Sequence, residues 1–489
     1  MALQGHHRQH FDRHTGWDLW AKLRRTARSW KPTTSARYCH STESFWQSAK
    51  DLPLAGDAGM VQQMYRGIFE FAGEIVKSSP DQLFDFAHAG VGWSNALLSL
   101  DWLKDFAAHP RRLTAAYAVS LLQAWNDLGL MPQDVTYEAH RLLNMQTCFP
   151  LLAGMVEAPQ RNILMMSWEI QRERLKLAKA SDAIDAAHQA LALAMAALAM
   201  QNPGEQMAES LRRLEAALIK TTHADGGPIT CSMTIHLQLA YNLMRLNNLM
   251  AERHFTLSAN LSQQFDKMIA FVAMFQRSDN CLAFGLEKLH GNRLVLPFGN
   301  EIQKVASNSG VTRLCHGRSV LIASNGTSFP EPCVDISVGK TPLLTFGAFG
   351  GQAAAKQSSL QEDSIGSVLS LPKRQIFVAA SGHDIRVQEE LSAKTSSAQL
   401  ILKFDCNIKI SLARHFTSAS LALPDRSHWQ VSLRGGHFEM GRDDNELILI
   451  ANPTGRDCLN WAVKRVGDEK SDRGQASGKK TGQPTDLLI

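Results

Sequence analysis

The sequence predicts an α+β chain in which a helical half precedes an antiparallel β half. Three observations carry this. Between about residues 51 and 290, apolar residues recur at three- and four-residue spacing, as in "GWSNALLSLDWLKDFAAH" and "NILMMSWEIQRERLKLAKA". From about 291 to 466 the pattern changes to short, partly alternating runs such as "RSVLIAS", "CVDISV" and "RQIFVAA". The composition, 44% hydrophobic and 20% charged over 489 residues, suits a globular chain that buries a large core without disulfide or metal staples.

In chain order, residues 1–50 read as a basic, His-rich arm. From Arg8 to Arg37 there are eight Lys or Arg against two Asp, a local +6 against +5 for the whole chain. Trp17, Trp20, Leu23, Ala27 and Trp30 form one helical stripe. A basic amphipathic helix of this kind suits an anionic membrane surface or a protein partner, or it docks its tryptophans on the main body. The arm lacks the unbroken apolar run of a signal peptide, so a cytoplasmic location is expected. The small overall charge gives no reason to expect nucleic acid as a partner.

Residues 51–290 read as helical almost throughout, with helices expected from about residue 57. Breaks are expected at Pro110, Pro132, Pro159, Pro203 and Gly226–Pro228. The most apolar run, "AHQALALAMAALAM", is too short to span a bilayer and reads as a buried core helix. Residues 291–466 read as a β-sandwich. "SLRGGHFEM" is expected to be a hairpin turning at Gly435–Gly436. Residues 467–489 are polar and of low complexity, and disorder is expected there.

Several motifs are excluded. The eight cysteines are scattered with no C-x-x-C pair, against a zinc ribbon or a thioredoxin-type site, and reduced thiols are expected. The histidines of the β half show no paired metal-ligand spacing, so no metal is expected. "FGAFGG" lacks the GK[ST] ending of a phosphate loop.

Several pieces, taken together and in order, resemble the heparinase II/III-like proteins of alphaproteobacteria, within the polysaccharide lyases. They are "MYRGIFEFAGEIV", "GWSNALLSLDWLKDF", "DVTYEAHRLL…FPLL", "RRLEAAL…ADGGPI", "FDKMIAFVAMFQRSDNCLAFG", "WQVSLRGGHFEM" and "LNWAVKRV". The resemblance implies an incomplete α/α toroid followed by an antiparallel β-sandwich. It implies β-elimination on an acidic, uronate-containing polysaccharide, with no cofactor, and it allows a cell-envelope location. Such chemistry needs a group that neutralises the uronate carboxylate, a base for the C5 proton, and a proton donor for the leaving oxygen.

The chain departs from the family pattern at several site positions. Relatives carry His, Arg and Asn after Asp-Gly-Gly, where this chain reads Pro228, Cys231 and Ser232. Cys148 stands where a His is typical, "FPEPC" replaces a His-bearing stretch, and the segment from about 351 to 375 is shortened. A catalytically inactive, glycan-binding relative is therefore the alternative to a lyase. The remaining candidates for catalysis are Tyr241, His236 and His140. The candidates for substrate binding are Asn144, Arg141 and Asp225. His140 and Asn144 share a helix face at i, i+4. His236 and Tyr241, five apart, point in different directions. Asp225 also reads as a simple turn cap.

Overall fold

The computed structural model describes residues 56–79, 82–84, 89–128, 134–200, 203–229, 232–279, 281–284, 286, 302–327, 332–347, 358–371, 373–390, 399–443, 446–454 and 458–467. The Trp17–Trp30 stripe and the polar tail beyond Gly467 lie outside the described residues, as does Cys231.

The helical part contains α1 (Ala58–Tyr65), α2 (Val91–Leu98), α3 (Leu103–Ala108), α4 (Arg112–Leu128) and α5 (Val135–Ala153). It continues with α6 (Ala158–Leu177), α7 (Ala183–Leu198), α8 (Gly204–Thr221), α9 (Met233–Glu252) and α10 (Ala259–Ala273). Capping follows the sequence closely. Asp134 and Asp182 accept from backbone N–H groups in the first turns of α5 and α7, and Pro159 sits in the first turn of α6. α5 is the hub. It packs against α3, α6 and α7, and His140 through Pro150 are buried without interruption. Among the described residues no helix is long and apolar enough to cross a membrane.

One expected helical stretch is a hairpin instead. β1 (Ile68–Phe71) and β2 (Glu74–Lys77) pair antiparallel. Ala72 and Gly73 between them have φ of 51° and 78°, the two positive values that a two-residue type I′ turn requires. Phe69 and Phe71 point inward, and the Trp93 indole donates to the Phe69 carbonyl at 3.1 Å. Each strand is only four residues long, too short for a period-two pattern to stand out.

The β part holds two eight-stranded antiparallel sheets. One runs β13 (Lys409–Leu412), β14 (Ser418–Ala422), β15 (His428–Arg434), β18 (Cys458–Val466), β11 (Asp384–Glu390), β10 (Arg374–Ala379), β9 (Gly366–Leu371), β8 (Ser359–Glu362). The other runs β16 (Gly436–Asp443), β17 (Glu446–Pro453), β12 (Leu400–Phe404), β7 (Thr341–Phe346), β6 (Cys333–Val338), β5 (Ser319–Ser324), β4 (Val311–His316), β3 (Val305–Ala306). Their inner faces share one apolar core, where Phe346 of one sheet meets Trp461 of the other edge-on at 4.8 Å. The architecture is the expected one, an incomplete α/α toroid followed by an antiparallel β-sandwich.

The hairpin expected at Gly435–Gly436 is corrected. β15 pairs with β14 and β18, whereas β16 pairs with β17 in the other sheet. The two glycines therefore make a corner between sheets. Gly435 has φ 90°, and a Cβ on Gly436 would lie 2.3 Å from the Asn452 carbonyl oxygen. Leu433 and Phe438, which would face each other across a two-residue turn, are both buried, so a corner and a hairpin share one sequence pattern.

The chain divides into two compact units, residues 1–220 with 241–261, and residues 221–240 with 262–489. Helix α9 begins in the second unit and ends in the first.

Candidate functional site

In the first unit, α5 sets three side chains, His140, Asn144 and Cys148, along one face at four-residue steps. The His140 ring packs edge-on to His188 of α7, with Nε2 and Nδ1 3.2 Å apart. Beside them, Thr136 donates to Asp185 at 2.8 Å and ties the first turns of α5 and α7 together. His188 is fully buried, and among the described residues its Nε2 has no hydrogen-bond partner. Burial, and then the neighbouring His140, push it well below the ordinary imidazole range, so it stays neutral.

Asn144 donates from Nδ2 to the Ser99 carbonyl at 3.0 Å and to Asp101 Oδ1 at 2.8 Å. Lys104 donates to the same Asp101 oxygen at 3.1 Å. The corner that presents Asp101 is a helix C-cap. The Asp101 N–H bonds back to the Ala96 carbonyl, and Leu100 takes a left-handed φ of 60°. A left-handed non-glycine residue costs about 1–2 kcal/mol. Leu100 is completely buried, which contributes about 1.5–3 kcal/mol and offsets that cost.

Asp101 and Lys104 keep 44% and 35% of their side-chain surface open, so this pair meets solvent while its amide partner does not. Burial alone raises the Asp101 carboxyl. Lys104, His140 and the Asn144 amide outweigh it and hold the group below the usual carboxylate range. Lys104 is opposed by burial and carried above its ordinary value by Asp101. Cys148 goes the other way. Burial pushes its thiol up to about 12 despite Lys104 and Arg245 nearby, so it is a neutral group with no nucleophilic or acid–base role near pH 7.

Tyr241 and Arg245 stand one turn apart on the part of α9 that belongs to this unit. The Arg245 guanidinium lies over the Tyr241 ring at 6.0 Å, donates to Asn242 at 3.1 Å, and donates to Thr147 of α5. Tyr241 is half-buried. The structure thus brings His140, Asn144 and Tyr241 into one unit, linked by Arg245 and Thr147. It adds Asp101, Lys104, His188 and Arg245, which sequence reasoning missed. "SLDWLKDF" carried the i, i+3 acid–base pair and "YNLMR" the i, i+4 Tyr–Arg pair. Nothing in either string shows that they lie near α5.

Arg141 does not face this group. It is wholly buried, donates to the Leu98 carbonyl at 2.7 Å and to Gln171 at 3.0 Å, and covers the Trp125 ring at 4.7 Å. It is a structural cation rather than a substrate contact.

His236 and Asp225 lie in the second unit. His236 is 1% exposed, its ring meets Phe271 edge-on at 5.7 Å, and among the described residues neither ring nitrogen has a hydrogen-bond partner within 3.5 Å. Burial pushes it down to about 4. It is a packing residue, closed to substrate in this conformation. Asp225 is a turn residue with a distant partner. It accepts from Ser309 N at 2.9 Å and Ser309 Oγ at 2.7 Å, and more weakly from Gly227 N at 3.3 Å. Both glycines are obligatory here. A Cβ on Gly226 would lie 2.1 Å from the Lys267 carbonyl oxygen, and one on Gly227 would lie 2.0 Å from Ser309 Oγ. The Asp-Gly-Gly turn therefore works as a latch within its own unit.

Comparison with known proteins adds the fold. No family model matches the chain, and no curated protein matches it. Among solved structures, a crystal structure of heparinase III is similar with a TM-score of 0.53 at 11% identity, over 93% of this chain and 90% of that one. Heparan sulfate lyase HepC from Pedobacter heparinus gives 0.45 at 12% identity, over 93% and 88%. A Paenibacillus xanthan lyase gives 0.40 at 7%, over 92% and 60%. The last two are too loose to carry an argument. The first shows that the chain has a fold like that of heparinase III, and at such low identity it shows the fold alone.

Proposed function

We propose that this chain is a heparinase II/III-like polysaccharide lyase that cleaves an acidic, uronate-containing polysaccharide by β-elimination. The Tyr241–Arg245 pair is the observation that carries the reading. A tyrosine that acts as a base needs a cationic neighbour to hold the phenolate it would form. Arg245 stands over the Tyr241 ring. In the reaction Tyr241 takes the C5 proton and the released electron pair forms the C4=C5 double bond. The C4–oxygen bond breaks, and the leaving oxygen takes up a proton. Lys104 and Asn144 are the donors for the uronate carboxylate. His140, held by His188, is the second candidate proton donor.

One observation favours a second reading, glycan binding without turnover. Asp101 already receives both Lys104 and Asn144 on one oxygen. Its ionised carboxylate stands where a uronate carboxylate would seek those donors. One experiment tests the pair of readings. The protein is incubated with a panel of uronate polysaccharides while ultraviolet absorbance follows the unsaturated product. Product that disappears on Tyr241→Phe supports the lyase. Glycan binding with no product across the panel leaves the binding reading.

A further inference from the structure

The outer face of the β13–β8 sheet holds a feature that the proposed elimination does not use. An open trough of about 600 Å³ lies on it, within the size range of small-molecule sites. Its floor is ordered by strand register. Gln375 of β10, Gln388 of β11, Asn460 of β18 and Arg434 of β15 are successive cross-strand neighbours. They make one polar row across four strands, about ~14 Å long at the usual strand spacing. The adjacent row holds Phe377 beside Arg386, whose guanidinium covers the ring at 5.7 Å and is held by Asp384 at 2.8 Å.

The row is unoccupied by the protein's own bonding. Among the described residues no hydrogen bond or ion pair holds the side chains of Gln375, Gln388 or Arg434, and Asn460 makes only a 3.8 Å contact to the Cys458 sulfur. Three amides, each donor and acceptor at once, match hydroxyl groups that are also both. Arg434 adds a fork that matches a carboxylate. A protein partner would need a large apolar or aromatic centre, and among the described residues Phe377 is the only aromatic on this floor besides the buried Trp461. A nucleic acid would need concentrated positive charge, whereas Asp363 and Asp384 stand in or beside the trough.

We infer that this sheet face is a second carbohydrate site, separate from the α5 cluster, that binds a uronate-containing oligosaccharide along the Gln375–Gln388–Asn460–Arg434 row. The choice of a uronate rests on the function proposed above; the row and its chemistry do not.

The test is calorimetric titration of the full chain with hexasaccharides of polygalacturonate, alginate, hyaluronan and heparan sulfate, and with maltohexaose as the neutral control. The expected result is that one acidic hexasaccharide binds at a site that the Arg434→Ala, Gln388→Ala double variant weakens about ten- to hundredfold, as loss of a charge-assisted hydrogen bond implies. Both side chains face solvent, so the melting temperature should not change. Binding at unchanged affinity and stoichiometry in the double variant overturns the inference. So does the absence of acidic binding, or equal binding of maltohexaose. Product absorbance in the same samples separates the two readings. Absent product with Arg434-dependent binding sinks the elimination alone, and product with Arg434-independent binding sinks the sheet site alone.

Discussion

Gly226→Ala is the sharpest test of the Asp-Gly-Gly latch. Gly226 has φ 87°, and a left-handed alanine costs about 1–2 kcal/mol. The new methyl would also lie 2.1 Å from the Lys267 carbonyl oxygen, 2.3 Å from its carbon and 2.8 Å from Met268 N. All three are backbone atoms inside α10 and have no rotamer to change. The turn must retreat by about 1 Å or more, which disturbs the 2.7 and 2.9 Å bonds from Ser309 to Asp225. Overpacking of this kind costs about 1–3 kcal/mol, for a combined loss of about 2–5 kcal/mol. In a unit of this size that lowers the melting temperature by roughly 4–20 °C. Gly73→Ala is the matched control. Its φ is 78°, but nothing lies within 4 Å of the place its new methyl would take, so only the conformational cost of about 1–2 kcal/mol applies. Scanning calorimetry of both variants, each read on the transition of its own unit, decides the matter. A Gly226→Ala loss no greater than that of Gly73→Ala would refute the clash argument.

Three further outcomes are expected. Burial pushes His236 down to about 4, so its neutral form stabilises the fold fully above the unfolded value near ~6.5, and that contribution of roughly 3 kcal/mol is lost as pH falls towards about 4; His236→Leu should flatten the pH dependence of the unfolding midpoint in this window, and an unchanged slope would show that the ring is not the cause. Asp101 is held below its ordinary value, so its contribution is present above about ~4 and disappears as pH falls through the lower folded value; Asp101→Asn should remove that acid-side loss in denaturant titrations, and parallel curves for the two proteins would count against the network. Cys148, with its thiol pushed up to about 12, should resist iodoacetamide at pH 8 while the exposed Cys315 and Cys406 are alkylated; mass spectrometry showing equal labelling rates would overturn the burial assignment.

The change of hydrophobic period near residue 290 was enough to place helices before strands, because period 3.6 and period 2 are local properties. The β1–β2 hairpin was hidden inside "IFEFAGEIVK" because a two-turn helix and two four-residue strands both place apolar side chains on one side. The Gly435 corner read as a hairpin for the same kind of reason. Site residues were legible only where spacing acts within one helix, as for His140 and Asn144. His236 and Tyr241, five residues apart on α9, fall in different units. Asp101 lies 43 residues from Asn144, and Arg245 lies 98 from Thr147. Such pairings are made by packing and leave no periodic trace. Asp225 was legible as a turn residue, but its bond to Ser309 was not, since that partner is 84 residues away.

That last separation has a kinetic meaning. Translation proceeds at about 5–20 residues per second, so the Asp225 turn leaves the ribosome roughly 4–17 s before Ser309 does. For that interval the Asp225 carboxylate and two bare glycines have no docking partner, and the first half of α9 has emerged without the strands of its own unit. Slowing translation between residues 240 and 309 should lengthen the wait and lower the yield of folded chain, while slowing confined to the C-terminal end of the chain should not.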